Sequence, residues 1–203
     1  MISIINYGIG NLESIANMFK KYGIKSHITN DPDTIEQADK IILPGVGHFG
    51  HCMQKLNESG LLPMLEQKAL KDRIPVLGIC VGHQMLFEKS EEGNAIGLNW
   101  IPGQVIKFNS TQLSSNYKIP HMGWSDIGVN KPDSNLFDGI IEPRFYFTHS
   151  YHVECYEQYV LAKASYGYDF VAAVQKGNIF GVQFHPEKSH RFGMELLKNF
   201  AAI

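Results

Sequence analysis

Cys80 lies in the run "PVLGICVGHQML", where apolar residues lead through Gly78-Ile79-Cys80-Val81-Gly82 into a helical pattern. This is the G-x-nucleophile-x-G layout of a nucleophile elbow, with cysteine where hydrolases often carry serine. Glycines flank such a nucleophile because its backbone is strained and side chains two residues away would collide. A helix beginning beside the cysteine points free N–H groups and its positive dipole end at the sulfur, which favours thiolate. The same five residues also fit a plain strand-to-helix turn holding a small buried cysteine, the common state of a free thiol.

A thiolate nucleophile needs a base, and the base needs a third group to orient it. Nine histidines are available, and one stretch stands apart: "GVQFHPEKS", with His185 and Glu187 separated by Pro186. In an extended segment residues i and i+2 project to the same side. Glu187 would then accept the imidazole Nδ1–H and leave Nε2 facing the sulfur. A lone His-x-Glu pair also describes a solvated turn, but here it follows an apolar strand-like run and a proline that stops further ladder pairing. The third stretch is "LPGVGHF": a glycine-rich turn after an apolar strand, whose backbone N–H groups at Gly45, Val46 and Gly47 could hold a developing oxyanion, or be a tight turn and nothing more. In "GHFGHC", His48, His51 and Cys52 stand at helical spacing, but no fourth ligand at useful spacing accompanies them for zinc.

The elements that must position these groups alternate through the first half. "MISIINY", "IKSHIT", "KIILPG" and "IPVLGIC" read as strands. Between and after them lie "GNLESIANMFKKYG", "TIEQA", helical material from Gly47 to about Lys71 interrupted at "SGLLP", and "GHQMLFEK". Such alternation predicts an α/β fold with an open, mostly parallel central sheet flanked by helices, and ligands outside the carboxyl ends of its strands. Both "LPGVG" and "GICVG" fall at that edge. From Trp100 to Phe184 the pattern changes to short β-branched and aromatic segments such as "RFYFTHSYHV" and "NIFGVQF", separated by turns such as "NKPDSN" and "KGN". These predict added antiparallel strands, and "HRFGMELLKNFA" a closing helix. With no repeat, low-complexity tract or convincing linker, residues 1–203 read as one domain.

The bulk composition excludes several function classes. Of 203 residues, 44% are hydrophobic and 19% charged, which suits a globular domain and not a disordered one. A formal net charge of −2 gives no reason to expect nucleic acid or an anionic membrane surface as partner. No apolar run reaches the ~18 residues of a membrane span. The first residues lack the basic start of a secretory leader. Three cysteines with no framework spacing predict a reducing, cytoplasmic setting.

Together the elbow, the turn and the "HPE" stretch resemble the class I, triad-type glutamine amidotransferases, whose glutaminase domains carry G-x-C-x-G-x-Q and a later H-P-E on a flavodoxin-like core. Here these are Gly78 to Gln84 and His185-Pro186-Glu187. "NYGIGNL", "PGVGHF", "IPHMGW", "YFTHSY" and "GVQFHPEKS" extend the resemblance over nearly the whole chain. It implies that Cys80 attacks the carboxamide of glutamine, that His185 moves the proton, and that Glu187 orients the imidazole. Backbone groups around Gly47 and Val81 would stabilise the oxyanion. Gln84 with Thr148, His149, Ser150 and Tyr151 would hold the amino-acid end of glutamine. The ammonia would pass to a separate (β/α)8 synthase subunit, with Asn11, Trp124 and Lys188 toward that partner in a heterodimer. No metal or organic cofactor is implied.

His83 departs from the family, which commonly has methionine there; it is either a second titrating group near the nucleophile or a side chain packed behind the elbow. "EKSHRFGMELLKNF" is similar to paralogues that supply ammonia for amidino or amino groups of bacterial surface sugars, so two ammonia acceptors stay open. A cysteine peptidase or γ-glutamyl hydrolase would use the same Cys80 and His185 but leave the "PGVG" turn and a partner surface without purpose. A binding module that had lost activity would commonly lose one of Cys80, His185 and Glu187.

Overall fold

The computed structural model describes residues 1–131 and 134–203. In chain order come β1 (Ile2–Ile5), α1 (Leu12–Lys21), β2 (Ser26–Thr29), α2 (Pro32–Glu36), β3 (Lys40–Gly45) and α3 (Phe49–Glu58). Next are α4 (Leu62–Glu66), which runs on into a π-helical turn (Gln67–Lys71), then β4 (Val76–Cys80) and α5 (Val81–Met85). The second half holds β5 (Lys89–Ser90), β6 (Ala95–Ile96), β7 (Gly103–Lys107), β8 (His121–Val129), β9 (Arg144–His149) and β10 (Tyr151–Cys155). It ends with β11 (Val160–Tyr166), β12 (Tyr168–Lys176), β13 (Ile179–Val182) and α6 (His190–Ala202).

β1, β4 and β13 are buried at every residue, as strands covered by helices on both faces must be. α1 turns Ile15, Met18 and Phe19 inward and carries Lys20 and Lys21 in its last turn, where they complement the helix dipole. α2 is short but well started: Pro32 occupies its first turn, and the Asp31 side chain accepts from the N–H groups of Asp33 and Thr34.

The centre of the sheet runs β2-β1-β3-β4-β13, all parallel, and continues through β12, β10, β7, β5 and β6 with mostly antiparallel pairing. β11 pairs with β12 and β8, and β8 with β9. The parallel core and its flanking helices agree with the α/β reading. The first four strands follow the 2-1-3-4 order of doubly wound sheets, which gather ligands at the carboxyl edge.

Three details correct the sequence reading. "NIFGVQF" forms β13, antiparallel to β12 but parallel to β4, so it completes the core instead of flanking it. The turn "KGN", with Gly177 at φ +59°, reverses the chain out of an antiparallel β12 and so restores the core direction. "RFYFTHSYHV" is two strands: β9 pairs with β8, whereas β10 pairs with β7 and β12, and the change of partner falls at Ser150. The expected turn "NKPDSN" includes Pro132 and Asp133, which lie outside the described residues. The helix expected over "GHQMLFEK" stops at Met85, because Leu98 N–H takes the Met85 carbonyl while Trp100 and Ile101 N–H take that of Leu86. Among the described residues no helix is long and apolar enough to cross a membrane.

Candidate active site

Cys80 is the last residue of β4 and adopts φ 55°, ψ −109°. A side chain in such a conformation costs on the order of 1–3 kcal/mol and persists only where the surroundings dictate it. Here the surroundings are backbone. A Cβ on Gly78 would run into the Gly82 carbonyl, one on Gly82 into the Leu43 carbonyl, and one on Gly45 into the Gly82 N–H. Gly78 therefore keeps the elbow from colliding with itself, as expected. Gly82 instead lets α5 lie directly on β3, where Gly45 is in register with Cys80.

His185 and Glu187 meet as the spacing predicts, but not by the predicted geometry. Only His185 is extended (φ −102°, ψ 97°); Pro186–Lys188 form a single 3-10 turn that folds Glu187 back. His185 Nδ1 then lies 2.8 Å from Glu187 Oε1, and both side chains are 2% exposed. An ionised carboxylate only accepts, so Nδ1 donates and Nε2 is left free. Three residues that sequence reading missed hold this turn. The Ser189 hydroxyl donates to the His185 carbonyl at 2.6 Å and accepts from Tyr146 N–H at 3.0 Å. His185 N–H donates to Tyr146 O at 2.9 Å. Gly193, inside α6, makes room for the Pro186 carbonyl. A serine and a glycine at helical spacing after the "HPE" run were the available signal.

Burial opposes charge on His185, but the hydrogen bond and charge of Cys80, followed by those of the Glu187 carboxylate, outweigh it and raise the imidazole to about 10. Burial alone would raise Glu187; the hydrogen bonds from His185 and Asn11 hold it below its ordinary value instead. The arrangement is thus a buried imidazole held basic between a carboxylate and the Cys80 sulfur. It can deprotonate a nucleophile and return the proton to a leaving group.

A cavity of about 370 Å3 opens over Cys80 and His185. Val46 and Gly47 line it from the β3 turn, Val81 and Gln84 from α5, and Thr148, His149, Ser150 and Tyr151 from the end of β9 and start of β10. Asn11 and Lys188 also line it, as do Glu92 and Pro120, which were missed in the sequence. Gly45 stays in the β3–β4 ladder, and Glu187 sits behind His185. Trp124 lies outside, 37% exposed and stacked on His190 with ring centroids 5.6 Å apart. Asn11, expected toward a partner, also faces inward: its Nδ2 donates to Glu187 Oε1 at 2.9 Å. Gln84 is engaged within the protein, donating from Nε2 to Tyr151 O at 3.0 Å and to Gln183 Oε1 at 2.9 Å.

Two buried donors grip the turn at Gly45–Gly47 from below. The Tyr7 hydroxyl donates to Pro44 O at 2.6 Å and the Cys52 thiol to Val46 O at 3.4 Å. Burial pushes Cys52 up to about 11, so it remains a thiol and a donor. It faces inward while His51 of the same stretch is exposed, and among the described residues no cluster of three or more His, Cys, Asp or Glu could hold a metal. His83 packs behind the elbow: it is fully buried, meets Phe87 edge-on at 5.5 Å, and is pushed down to about 3 by burial, which keeps it neutral.

The sequence profile of the family "Glutamine amidotransferase class-I" matches residues 3–203. The chain is 50% identical over 207 residues to the "Imidazole glycerol phosphate synthase subunit HisH" of Bdellovibrio bacteriovorus, covering 100% of both chains. It is 48% identical to the "Imidazole glycerol phosphate synthase subunit HisH 2" of Methanococcus maripaludis, covering 98% of each. Among solved structures it is similar to PurLQS from Thermotoga maritima, with a TM-score of 0.75 at 17% identity over 98% of this chain and 96% of that one. A glutamine amidotransferase from the same organism gives a TM-score of 0.63 at 18% identity, over 97% of this chain and 80% of that one.

Proposed function

Since the chain belongs to the class-I glutamine amidotransferases, we propose that it is the glutaminase subunit of imidazole glycerol phosphate synthase. It hydrolyses glutamine to glutamate and delivers the ammonia to a (β/α)8 cyclase subunit in histidine biosynthesis. Full-length identity of 48–50% to subunits of that name supports the pathway. The observation that carries the chemistry is the His185–Glu187 contact of 2.8 Å beside a cysteine at φ 55° over one cavity.

In this reading His185 Nε2 takes the Cys80 proton and the sulfur attacks the carboxamide carbon of glutamine. The carbonyl oxygen becomes an oxyanion facing backbone N–H groups of Val81 and the Gly45–Gly47 turn. The C–N bond breaks as the imidazolium returns its proton to nitrogen, which leaves as ammonia and a γ-glutamyl thioester on Cys80. Water then gives its proton to His185 and its oxygen to the acyl carbon, releasing glutamate and restoring the thiol. Glu187 keeps the imidazole in one tautomer and supports its charge. Thr148 to Tyr151 and Gln84 receive the amino-acid end. Residues 1–203 act as a single glutaminase domain in the cytoplasm, with no cofactor, and Trp124, Lys188 and the Asn11 loop face the cyclase.

The deciding experiment mixes the purified chain with the cyclase subunit of the same organism and measures glutamate release with and without the cyclase's nucleotide substrate. A large rise that needs both is expected. No rise, while a glutamine-mimicking electrophile still labels Cys80, would assign the ammonia to another synthase, with surface-sugar amidation the first to test.

A further inference from the structure

In the pocket wall at Thr148–Tyr151, His149 is paired with His121 of the neighbouring strand, and the proton positions of both rings can be deduced. His149 is 6% exposed, and His121, on the neighbouring strand β8, is 2% exposed. His149 Nδ1 lies 2.7 Å from Tyr151 O, and a carbonyl only accepts, so His149 is protonated on Nδ1. Its Nε2 is then an acceptor, and His121 Nδ1 at 3.1 Å must be the donor. His121 Nε2 in turn accepts from the Ser125 hydroxyl at 3.0 Å. Burial lowers both imidazoles, His121 to about 4, so both are neutral as this chain requires.

The chain ends on an atom that matters. The Tyr151 carbonyl also accepts from Gln84 Nε2, which bonds Gln183, and Gln183 Nε2 lies 3.9 Å from Cys80 Sγ. His121 has little freedom to turn, because its ring is stacked on Tyr166 and Phe147 at 4.1 and 5.0 Å between centroids.

We propose that His121 is a positioning residue for the glutaminase: its Nδ1–H locks His149 in the tautomer that anchors the Tyr151 carbonyl, and so fixes the wall against which the amino-acid end of glutamine lies. This rests on the glutaminase reading above. Losing the donor frees a buried acceptor and loosens the wall, so the effect falls on glutamine binding more than on the thiol chemistry.

The test uses the full chain in complex with its cyclase subunit and follows glutamate release against glutamine concentration. His121→Phe keeps a ring without the donor and is expected to raise KM about tenfold while kcat stays within about threefold. His121→Asn, whose Nδ2 can stand where Nδ1 stood, is expected to bring KM back to within about threefold of the native value. An unchanged KM in His121→Phe, or an equal rise in both variants, would overturn the proposal. A second readout needs no variant: in a long-range 1H–15N spectrum of the native chain both rings should carry their proton on Nδ1 at neutral pH. A proton on Nε2 of His149 overturns the assignment. If the native complex releases no glutamate and Cys80 resists the electrophile, the glutaminase reading fails, and the spectrum still decides the histidine pair.

Discussion

Asn11 and Glu187, 176 positions apart, are joined by a hydrogen bond of 2.9 Å onto the same Oε1 that His185 Nδ1 reaches at 2.8 Å. The first loop of the chain thereby helps to set the orienting carboxylate near its end. Asn11→Ala removes one of two bonds to that oxygen and is expected to lower glutamate turnover about tenfold. Initial rates across glutamine concentrations check this; a native rate would reduce Asn11 to a lining residue.

Glu187→Gln keeps the size of the side chain but removes its charge, and turnover should fall by roughly 10²–10⁴. Stability changes with a definite sign. His185 is raised in the folded state to about 10, so its contribution is fully present below the unfolded value near 6.5 and is lost as pH climbs through the folded value. In Glu187→Gln the imidazole loses a partner, so the decline on the alkaline side should shrink. Denaturant titrations from pH 6.5 to 10 measure it.

Because Cys80 sits at φ 55°, its replacement separates strain from chemistry. Both Cys80→Ala and Cys80→Gly should abolish glutamate release. Cys80→Gly should be the more stable of the two by about 1 kcal/mol, since glycine adopts that conformation freely. Equal midpoints would mean that the elbow has relaxed in the alanine variant.

Gly82→Ala drives a methyl group into the Leu43 carbonyl, whereas a Cβ on Gly128 meets nothing within 4 Å. The first should cost about 3 kcal/mol or more and the second stay within about 0.5 kcal/mol. Thermal and urea unfolding of the pair would expose an error if their order reversed.

His83 is neutral and buried, with a folded-state value of about 3. Below pH 6.5 the unfolded chain takes up a proton that the folded chain refuses, so stability falls as pH drops toward that value. His83→Met removes this linkage and should flatten the acid limb by up to about 1.4 kcal/mol per pH unit. His121, His149 and His152, also lowered by burial, and the carboxylates lowered by their partners, Glu187 among them, keep the rest of the slope.

Trp124→Ala should leave electrophile labelling of Cys80 intact and weaken complex formation with the cyclase subunit. The ring is 37% exposed next to exposed Met122, outside the cavity. Titration calorimetry against the cyclase gives the answer, and unchanged affinity would place the docking face elsewhere.

The parallel core was legible because β1, β3 and β4 are apolar runs between helical patterns, and burial on both faces leaves that mark on composition. The strained turn at Cys80 and the contact of His185 with Glu187 were legible too, since a positive φ between glycines and an imidazole–carboxylate pair each leave particular residue types at short spacing. Tertiary structure decided what joins them across long separations. β13 became parallel only by pairing with β4, which delivers His185 to the elbow. Asn11, Ser189, Gln183 and the His121–His149 pair acquired partners through contacts that leave no periodic trace, because a hydrogen bond between distant segments constrains one atom on each side. Local spacing marked the candidate groups, and the packing of strand ends brought them within reach of one another.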